Sequence, residues 1–169
     1  MEKFFRAYDE LRSDWQIYDQ VDCSTCSNIC CKSEGYVILF PYEEEYIKLK
    51  TGKSLKKTTY RRIGGERIKV FEDCGFLQPD GSCSSYPYRM VECRFYPFQF
   101  TSKGNASYDP HCESAKTIST DLRYIQNLRR KWVKLCSVLP LHFLKAWDLS
   151  LRDLSGIKKL PQMRSERLL

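Results

Sequence analysis

The chain has 169 residues, of which 42% are apolar, 14% aromatic and 29% charged, and its net charge is +7. This length suits one domain, and the apolar content excludes an intrinsically disordered chain. No apolar run approaches the roughly 18 residues of a membrane span, and the N-terminus carries charges where a signal peptide needs an apolar region. We therefore expect a cytoplasmic protein.

Short helices and strands are predicted along the first two thirds of the chain. Apolar residues spaced three and four apart predict an amphipathic helix over 3–20. In chain order there follow a cysteine loop over 22–32, a buried strand over 36–40, a helix from Pro41 to Gly52, a hairpin over 58–72 that turns at 64–65, a turn-rich segment over 75–94 with a tight turn at 79–81, and a strand over 95–101.

Two helices are predicted in the last third. An apolar stripe formed by Leu122, Ile125, Leu128, Trp132 and Leu135 predicts a helix over 117–139. Pro140 breaks it, and a second helix is predicted over 141–154. The fold class we expect is α+β, in one small domain over 1–169. Its amphipathic helices would pack around a short-stranded, irregular, cysteine-rich centre stapled by metal, with the metal-binding core at about 22–113 and the helical part at about 117–155.

The chain contains nine cysteines, an unusual number for a protein of a reducing compartment. They are Cys23, Cys26, Cys30, Cys31, Cys74, Cys83, Cys93, Cys112 and Cys136. Thiols seldom persist there as disulfides, so dense cysteines favour metal binding or redox work. The first eight lie within 90 residues and are our predicted metal ligands. Cys136 stands apart on a helical stretch, and we expect it to be a buried core thiol.

The spacing of the first four cysteines is typical of metal sites. Cys23 and Cys26 are three residues apart, so a turn can bring both thiolates to one metal. Side chains of adjacent residues point to opposite sides of an extended backbone. The doublet Cys30-Cys31 can therefore serve two centres, or two irons of one cluster.

The second cysteine group is embedded in a longer pattern. In order, the chain holds Cys74, Phe76, Leu77, Asp80, Gly81, Cys83, Tyr86, Arg89, Cys93, Arg94, Tyr96, Pro97 and Phe98. With the first box, this order resembles the YkgJ-type cysteine-cluster proteins, a family described as zinc- or iron-chelating domains and as iron–sulfur proteins. The resemblance spans about 23–112 and implies metal binding by cysteines of both groups. Here the first box is CxxCxxxCC, one residue longer than the family's, and Met90 stands where the family has proline.

Several residues beside these cysteines have chemistry suited to a thiolate centre. Clustered thiolates repel one another, and hydrogen-bond donors such as Arg89 and Arg94 relieve this repulsion. Tyr86, with Tyr96, Pro97 and Phe98, would shield the centre from water. His111 adjoins Cys112, but with eight thiols available we do not expect it to be a ligand.

The nature of the metal stays open at this point. Thiolate ligands suit both zinc and iron–sulfur clusters. Eight cysteines can build two closed zinc sites, or one [4Fe–4S] cluster with four thiols left for zinc or a second cluster. The doublet slightly favours an iron–sulfur cluster because each iron takes its own sulfur.

The sequence leaves three classes of function open. The first is a metal-cluster protein with a redox, sulfur or modification role. The second is a zinc-stapled binding module that holds nucleic acid or another acidic partner, because 47–69 has nine basic residues against one acidic and 121–169 has eleven against four. The third is an enzyme, although no phosphate loop, nucleophile elbow or HExxH motif is present. Flagellin lysine methylases carry a similar cysteine box in a much longer chain, which keeps methyl transfer as an alternative.

Overall fold

A computed structural model describes residues 1–13, 36–72, 76–80, 82–112, 114–151 and 158–159. The described elements are α1 (Glu2–Ser13), β1 (Val37–Ile38), α2 (Glu43–Thr51), β2 (Thr58–Ile63), β3 (Glu66–Phe71), a 3₁₀ turn (Tyr86–Tyr88), α3 (Val91–Phe95), β4 (Phe98–Phe100), β5 (Ala106–Tyr108), α4 (Ala115–Ile118), α5 (Leu122–Cys136), α6 (Leu141–Ser150) and β6 (Lys158–Lys159). Helices and small antiparallel sheets make this a small α+β domain, as predicted. The metal staple stays a prediction.

The first sheet has the antiparallel order β1-β3-β2. Strands β2 and β3 form the predicted hairpin, and Ile63 pairs with Glu66 across the turn. Gly64 and Gly65 have φ of 58° and 86°, in the left-handed region that two-residue hairpin turns require. The predicted strand over 36–40 is confirmed in its centre, where β1 pairs with β3.

The second sheet has the order β4-β5-β6 and differs from the prediction at its start. Only Phe98–Phe100 of the strand predicted over 95–101 is extended, and Val91–Phe95 forms the short helix α3. The helix escaped prediction because it has only five residues and its first N–H is bonded by Glu43, which lies far away in the sequence.

The helical prediction for the last third is right in kind and wrong in detail. The helix predicted over 117–139 is two helices, because the Asp121 carboxylate accepts a hydrogen bond from the backbone N–H of Tyr124 at 2.9 Å and starts α5 there. Leu122, predicted on the buried stripe, is 55% exposed. The break at Pro140 is confirmed, and α6 ends at Ser150. None of the helices in the described ranges is both long and apolar enough to cross a membrane.

The N-terminal helix packs on α5 through one face. Phe4, Tyr8 and Leu11 are buried at successive turns of α1, as their spacing predicts. The part of this predicted helix beyond Ser13 lies outside the described residues, as do the cysteine loop over 22–32 and the end of the last predicted helix.

Trp132 on α5 lies at the centre of the core. It is 1% exposed, and its ring centroid lies 5.2 Å from that of Phe95 and 5.3 Å from that of Trp147. Its indole N–H donates to the carbonyl of Thr101 at 2.8 Å, and the indole N–H of Trp147 donates to that of Phe100. These bonds join α6 to the last residue of β4 and α5 to the residue that follows it, and the ring of Phe95 that contacts Trp132 belongs to the short helix that carries Cys93.

Candidate metal centre

Three of the eight predicted ligands lie among the described residues. Cys83 pairs with Leu77 in a two-residue antiparallel bridge, Cys93 lies in α3, and Cys112 lies in the loop between β5 and α4. The other five lie outside the described residues. They are Cys23, Cys26, Cys30, Cys31 and Cys74.

The three described cysteines differ in burial. Cys112 is 6% exposed, whereas Cys83 and Cys93 are half-buried and pack against the apolar core. Within the described ranges, no three His, Cys, Asp or Glu side chains are grouped so that they could hold a metal ion. The thiol chemistry fits zinc and iron, but a complete ligand set requires cysteines outside these ranges. The convergence of all eight thiols stays a prediction.

A tight turn precedes Cys83, as the sequence predicted. The Asp80 carboxylate accepts hydrogen bonds from the backbone N–H of Ser82 at 2.9 Å and from its hydroxyl at 2.7 Å. These bonds, that of the hydroxyl first, hold the pKa of Asp80 below its usual range. On either side of the turn, Gln78 N–H donates to the Ser82 carbonyl and Ser84 N–H to that of Phe76. The position of the Cys83 backbone is therefore fixed by a small local hydrogen-bond network.

Arg94 is buried beside the loop that joins Cys83 to Cys93. It is 5% exposed, its Nε donates to the Arg89 carbonyl at 3.1 Å, and one terminal nitrogen donates to the Pro87 carbonyl. Burial lowers the pKa of Arg94 to about 10, and the charges of Arg89 and Arg12 act in the same direction. The Arg89 guanidinium lies 4.2 Å from the ring centroid of Tyr86. The three residues predicted to surround the thiols thus lie in one connected stretch.

Arg12 also contacts the stretch between Cys83 and Cys93, and the sequence did not predict this contact. From α1, its Nε donates to the Pro87 carbonyl at 3.0 Å, and its guanidinium lies 3.7 Å from the ring centroid of Tyr88. It also donates to the hydroxyl of Tyr46 at 3.1 Å. No sequence signal links Arg12 to a loop 75 residues away, because the link is made only by the packing of α1.

Two carboxylates, that of the buried Glu43 and that of the half-buried Glu92, position the helix that carries Cys93. Glu43 accepts hydrogen bonds from the backbone N–H of Val91 at 2.5 Å and from that of Phe40 at 2.9 Å. Glu92 accepts one from the N–H of Ile38 at 2.6 Å. Burial raises the pKa of each to about 7. In the sequence, Glu43 is only one residue of the helix predicted from Pro41 to Gly52, and nothing marks it as a link between segments.

A third carboxylate shapes the loop before Cys112. Asp109 accepts hydrogen bonds from the hydroxyl of Tyr96 at 3.0 Å and from the backbone N–H of His111 at 2.9 Å. The ring Nδ1 of His111 also lies 2.9 Å from this carboxylate. Burial opposes ionisation of Asp109, but these hydrogen bonds outweigh it and lower the pKa. The exposed imidazole of His111 is thus directed to Asp109.

The described part of the turn-rich segment over 75–94 contributes to the core. Phe76 is 6%, Met90 2% and Val91 3% exposed. These side chains and the hydrogen bonds above hold the described part of the segment on the core.

Cys136 behaves as the sequence predicted. It is a buried free thiol of α5, 7% exposed, within the apolar core. Burial, and then the charge of Asp148, raises its pKa to about 12. A thiol that stays protonated is a poor metal ligand, because metals bind the thiolate.

Comparison with known proteins identifies the family. No curated protein and no solved structure matches the chain. The family model CxxCxxCC, described as a "Putative zinc- or iron-chelating domain", matches residues 22–113, which is more than half of the chain and includes all eight predicted ligands. The chain therefore belongs to the CxxCxxCC family, and metal binding is the function that this membership supports.

Proposed function

We propose that the protein holds a thiolate metal centre, either an iron–sulfur cluster, zinc, or both, and that its role is in redox, sulfur or modification chemistry. The proposed ligands are Cys23, Cys26, Cys30, Cys31, Cys74, Cys83, Cys93 and Cys112. A reducing compartment such as the cytoplasm fits this proposal, because thiols there stay available to metals.

The observation that carries the proposal is the independent anchoring of three cysteine-bearing segments. The Cys83 segment is held by the Asp80 turn, α3 with Cys93 by Glu43 and Glu92, and the loop before Cys112 by Asp109. None of these bonds uses a thiol. The segments are therefore held by bonds that metal binding would not have to replace, and positioning the thiols in advance lowers the entropic cost of binding a metal.

The cationic groups next to these segments support an anionic centre. Four thiolates around zinc, or around an iron–sulfur cluster, leave a net negative charge on the site. Arg89 and Arg94 lie on the short stretch between Cys83 and Cys93, and Arg12 reaches the same stretch from α1. We infer that these guanidinium groups offset the charge of the centre. The ring of Tyr86, which packs against the Arg89 guanidinium, would shield the centre from water.

The favoured form is [4Fe–4S], with zinc as the alternative. The Cys30-Cys31 doublet suits a polynuclear centre because adjacent thiolates can reach different metal atoms. A bound cluster would supply one-electron transfer, whereas zinc closed by four thiolates would supply only folding energy.

Anaerobic purification followed by metal and sulfide analysis tests the proposal. We expect a brown protein with broad visible absorbance and about four irons and four sulfides per chain for one [4Fe–4S] cluster. Colourless protein with stoichiometric zinc would assign the alternative. Cys93→Ser should lose metal, and the matched control Cys136→Ser should retain it. Wild-type protein free of both metals after anaerobic preparation would contradict the proposal.

A further inference from the structure

One face of the β2–β3 hairpin carries basic and aromatic side chains in a regular array. In the antiparallel register, Tyr60 lies directly opposite Lys69 and Arg62 directly opposite Arg67. Residues that are opposite each other, or two apart on one strand, share a face of the sheet. We call the surface formed by Tyr60, Arg62 and Arg67 the hairpin face.

The hairpin face is open to solvent while the other face of β3 is covered. Tyr60 is 54% exposed, and Arg62 and Arg67 are both exposed. On the opposite face, Ile68 is 5% and Val70 is 0% exposed, and α6 packs against both strands. The hairpin face is therefore not required to build the core.

The charge of the hairpin face is left uncompensated. The neighbouring bases Lys69 and Arg61 are paired with Glu44 and Glu72, respectively. Within the part of the chain that the structure describes, neither Arg62 nor Arg67 has a carboxylate partner. Like charges placed directly opposite on adjacent strands destabilise a sheet. The hairpin thus retains a repulsive pair that its own folding does not need.

Tyr60 gives this cationic surface an exposed aromatic ring. The Arg67 guanidinium lies 4.1 Å from the ring centroid, and Lys69 Nζ lies 6.0 Å from it. Proteins that bind single-stranded nucleic acids combine exposed aromatic rings with basic side chains on a sheet surface. The bases stack on the rings, and the phosphates pair with the guanidinium groups. An acidic protein would use the charges but would not need the ring.

We propose that the hairpin face binds single-stranded nucleic acid, with Arg62 and Arg67 on neighbouring phosphates and Tyr60 stacked against a base. Charge complementarity and the exposed ring select this occupant. The inference goes beyond the metal centre and does not depend on which metal is bound.

Fluorescence anisotropy with a labelled oligothymidylate tests this proposal on the full chain over a range of salt concentrations. The double variant Arg62→Ala/Arg67→Ala should weaken binding at least tenfold. It should also reduce the slope of log K against log salt by about 1.4, since each phosphate contact to a single strand contributes about 0.7. The matched control Arg123→Ala/Arg130→Ala removes the same charge from exposed positions of α5 and should change affinity less than twofold.

Variants of Tyr60 separate stacking from charge. Tyr60→Ala should weaken binding about 5- to 150-fold, the range expected for one stacked base, and Tyr60→Phe should restore it. Far-UV circular dichroism of each variant checks that the fold is intact. The proposal is overturned if the wild type does not bind at low salt, if both arginine pairs lose affinity equally, or if Tyr60→Ala binds like the wild type. Equal binding of a polyglutamate peptide with the same residue dependence would assign an acidic protein partner instead.

Discussion

The carboxylate of Glu43, at the start of α2, accepts a hydrogen bond from the backbone N–H of Val91, the first residue of the helix that carries Cys93. The two residues are 48 positions apart, and Glu43 is only 2% exposed. Its second oxygen accepts a hydrogen bond from Phe40 N–H, so one side chain joins the segment after β1, α2 and α3. The position of Cys93 therefore depends on a residue that is distant in sequence but adjacent in the fold.

The raised pKa of Glu43 predicts a pH-dependent stability. The pKa is 4.5 in the unfolded chain and about 7 in the fold, because burial disfavours the charged form. The contribution of Glu43 to the free energy of unfolding is complete below pH 4.5. It is lost as pH rises through 7, since the folded state binds more protons than the unfolded chain over this range. The loss is on the order of 3 kcal/mol.

Glu43→Gln isolates this effect. The variant cannot ionise, but its amide places a donor against a backbone N–H, which costs about 1–3 kcal/mol near pH 5. The difference in unfolding free energy between wild type and variant, measured by denaturant titration, should therefore shrink between pH 5 and pH 8. Glu45→Gln, at an exposed neighbouring position, is the matched control for removing one carboxylate from α2. If the difference in unfolding free energy stays constant from pH 5 to pH 8, Glu43 does not cause the pH dependence.

The two turn glycines predict different costs of substitution. Both have positive φ, so alanine at either position costs about 1–2 kcal/mol in backbone strain. A Cβ at Gly65 meets nothing within 4 Å, whereas one at Gly64 would clash with Cδ1 of Leu149 unless that side chain moved. Gly64→Ala should therefore lower the melting temperature more than Gly65→Ala. Equal shifts in thermal denaturation would show that the Leu149 side chain moves aside at no cost.

Reversing one charge on the hairpin face should stabilise the fold and impair binding. Arg62→Glu places a carboxylate directly opposite Arg67, and such pairs contribute about 0.2–1 kcal/mol. We expect the unfolding free energy to rise by this amount while affinity for the oligonucleotide falls. Lys103→Glu makes the same charge change in a loop and should give no stability gain. If Arg62→Glu lowers the unfolding free energy, Arg62 and Arg67 do not repel each other in the fold.

Local patterns predicted the elements that local chemistry determines. The hairpin follows from Gly64-Gly65 between apolar runs, and the end of α2 follows from Gly52, whose φ is 70°. The burial of Cys136 follows from its helical spacing among apolar residues.

Long-range links were beyond such patterns. Helix α3 depends on Glu43, and the loop over 86–89 depends on Arg12, which is 75 residues from Pro87. Neither partner is marked by spacing or composition. Of the metal centre, the sequence predicted which thiols are available, and the described ranges place only Cys83, Cys93 and Cys112.

Metal removal should leave the helical core intact. Helices α1, α5 and α6 bury their apolar faces on a shared core that contains Leu11, Leu128 and Trp147, and no thiolate bond is needed for this packing. After chelation, the far-UV circular dichroism signal should therefore persist. New proteolytic cleavage should appear in 22–32. It should not appear in 86–94, where Arg94 bonds to the Arg89 carbonyl and Glu43 bonds to the Val91 N–H. Complete loss of helicity on chelation would contradict this division.

Metal content of cysteine variants tests most directly whether the two cysteine groups share one centre. The variants are Cys30→Ser/Cys31→Ser, Cys93→Ser and their combination, with Cys136→Ser as control, all purified anaerobically and analysed for iron, sulfide and zinc per chain. A shared centre predicts that each of the first two loses the same metal, that the combination loses no more, and that the control keeps the wild-type content. Additive partial losses, or full metal content in the doublet variant, would contradict the account.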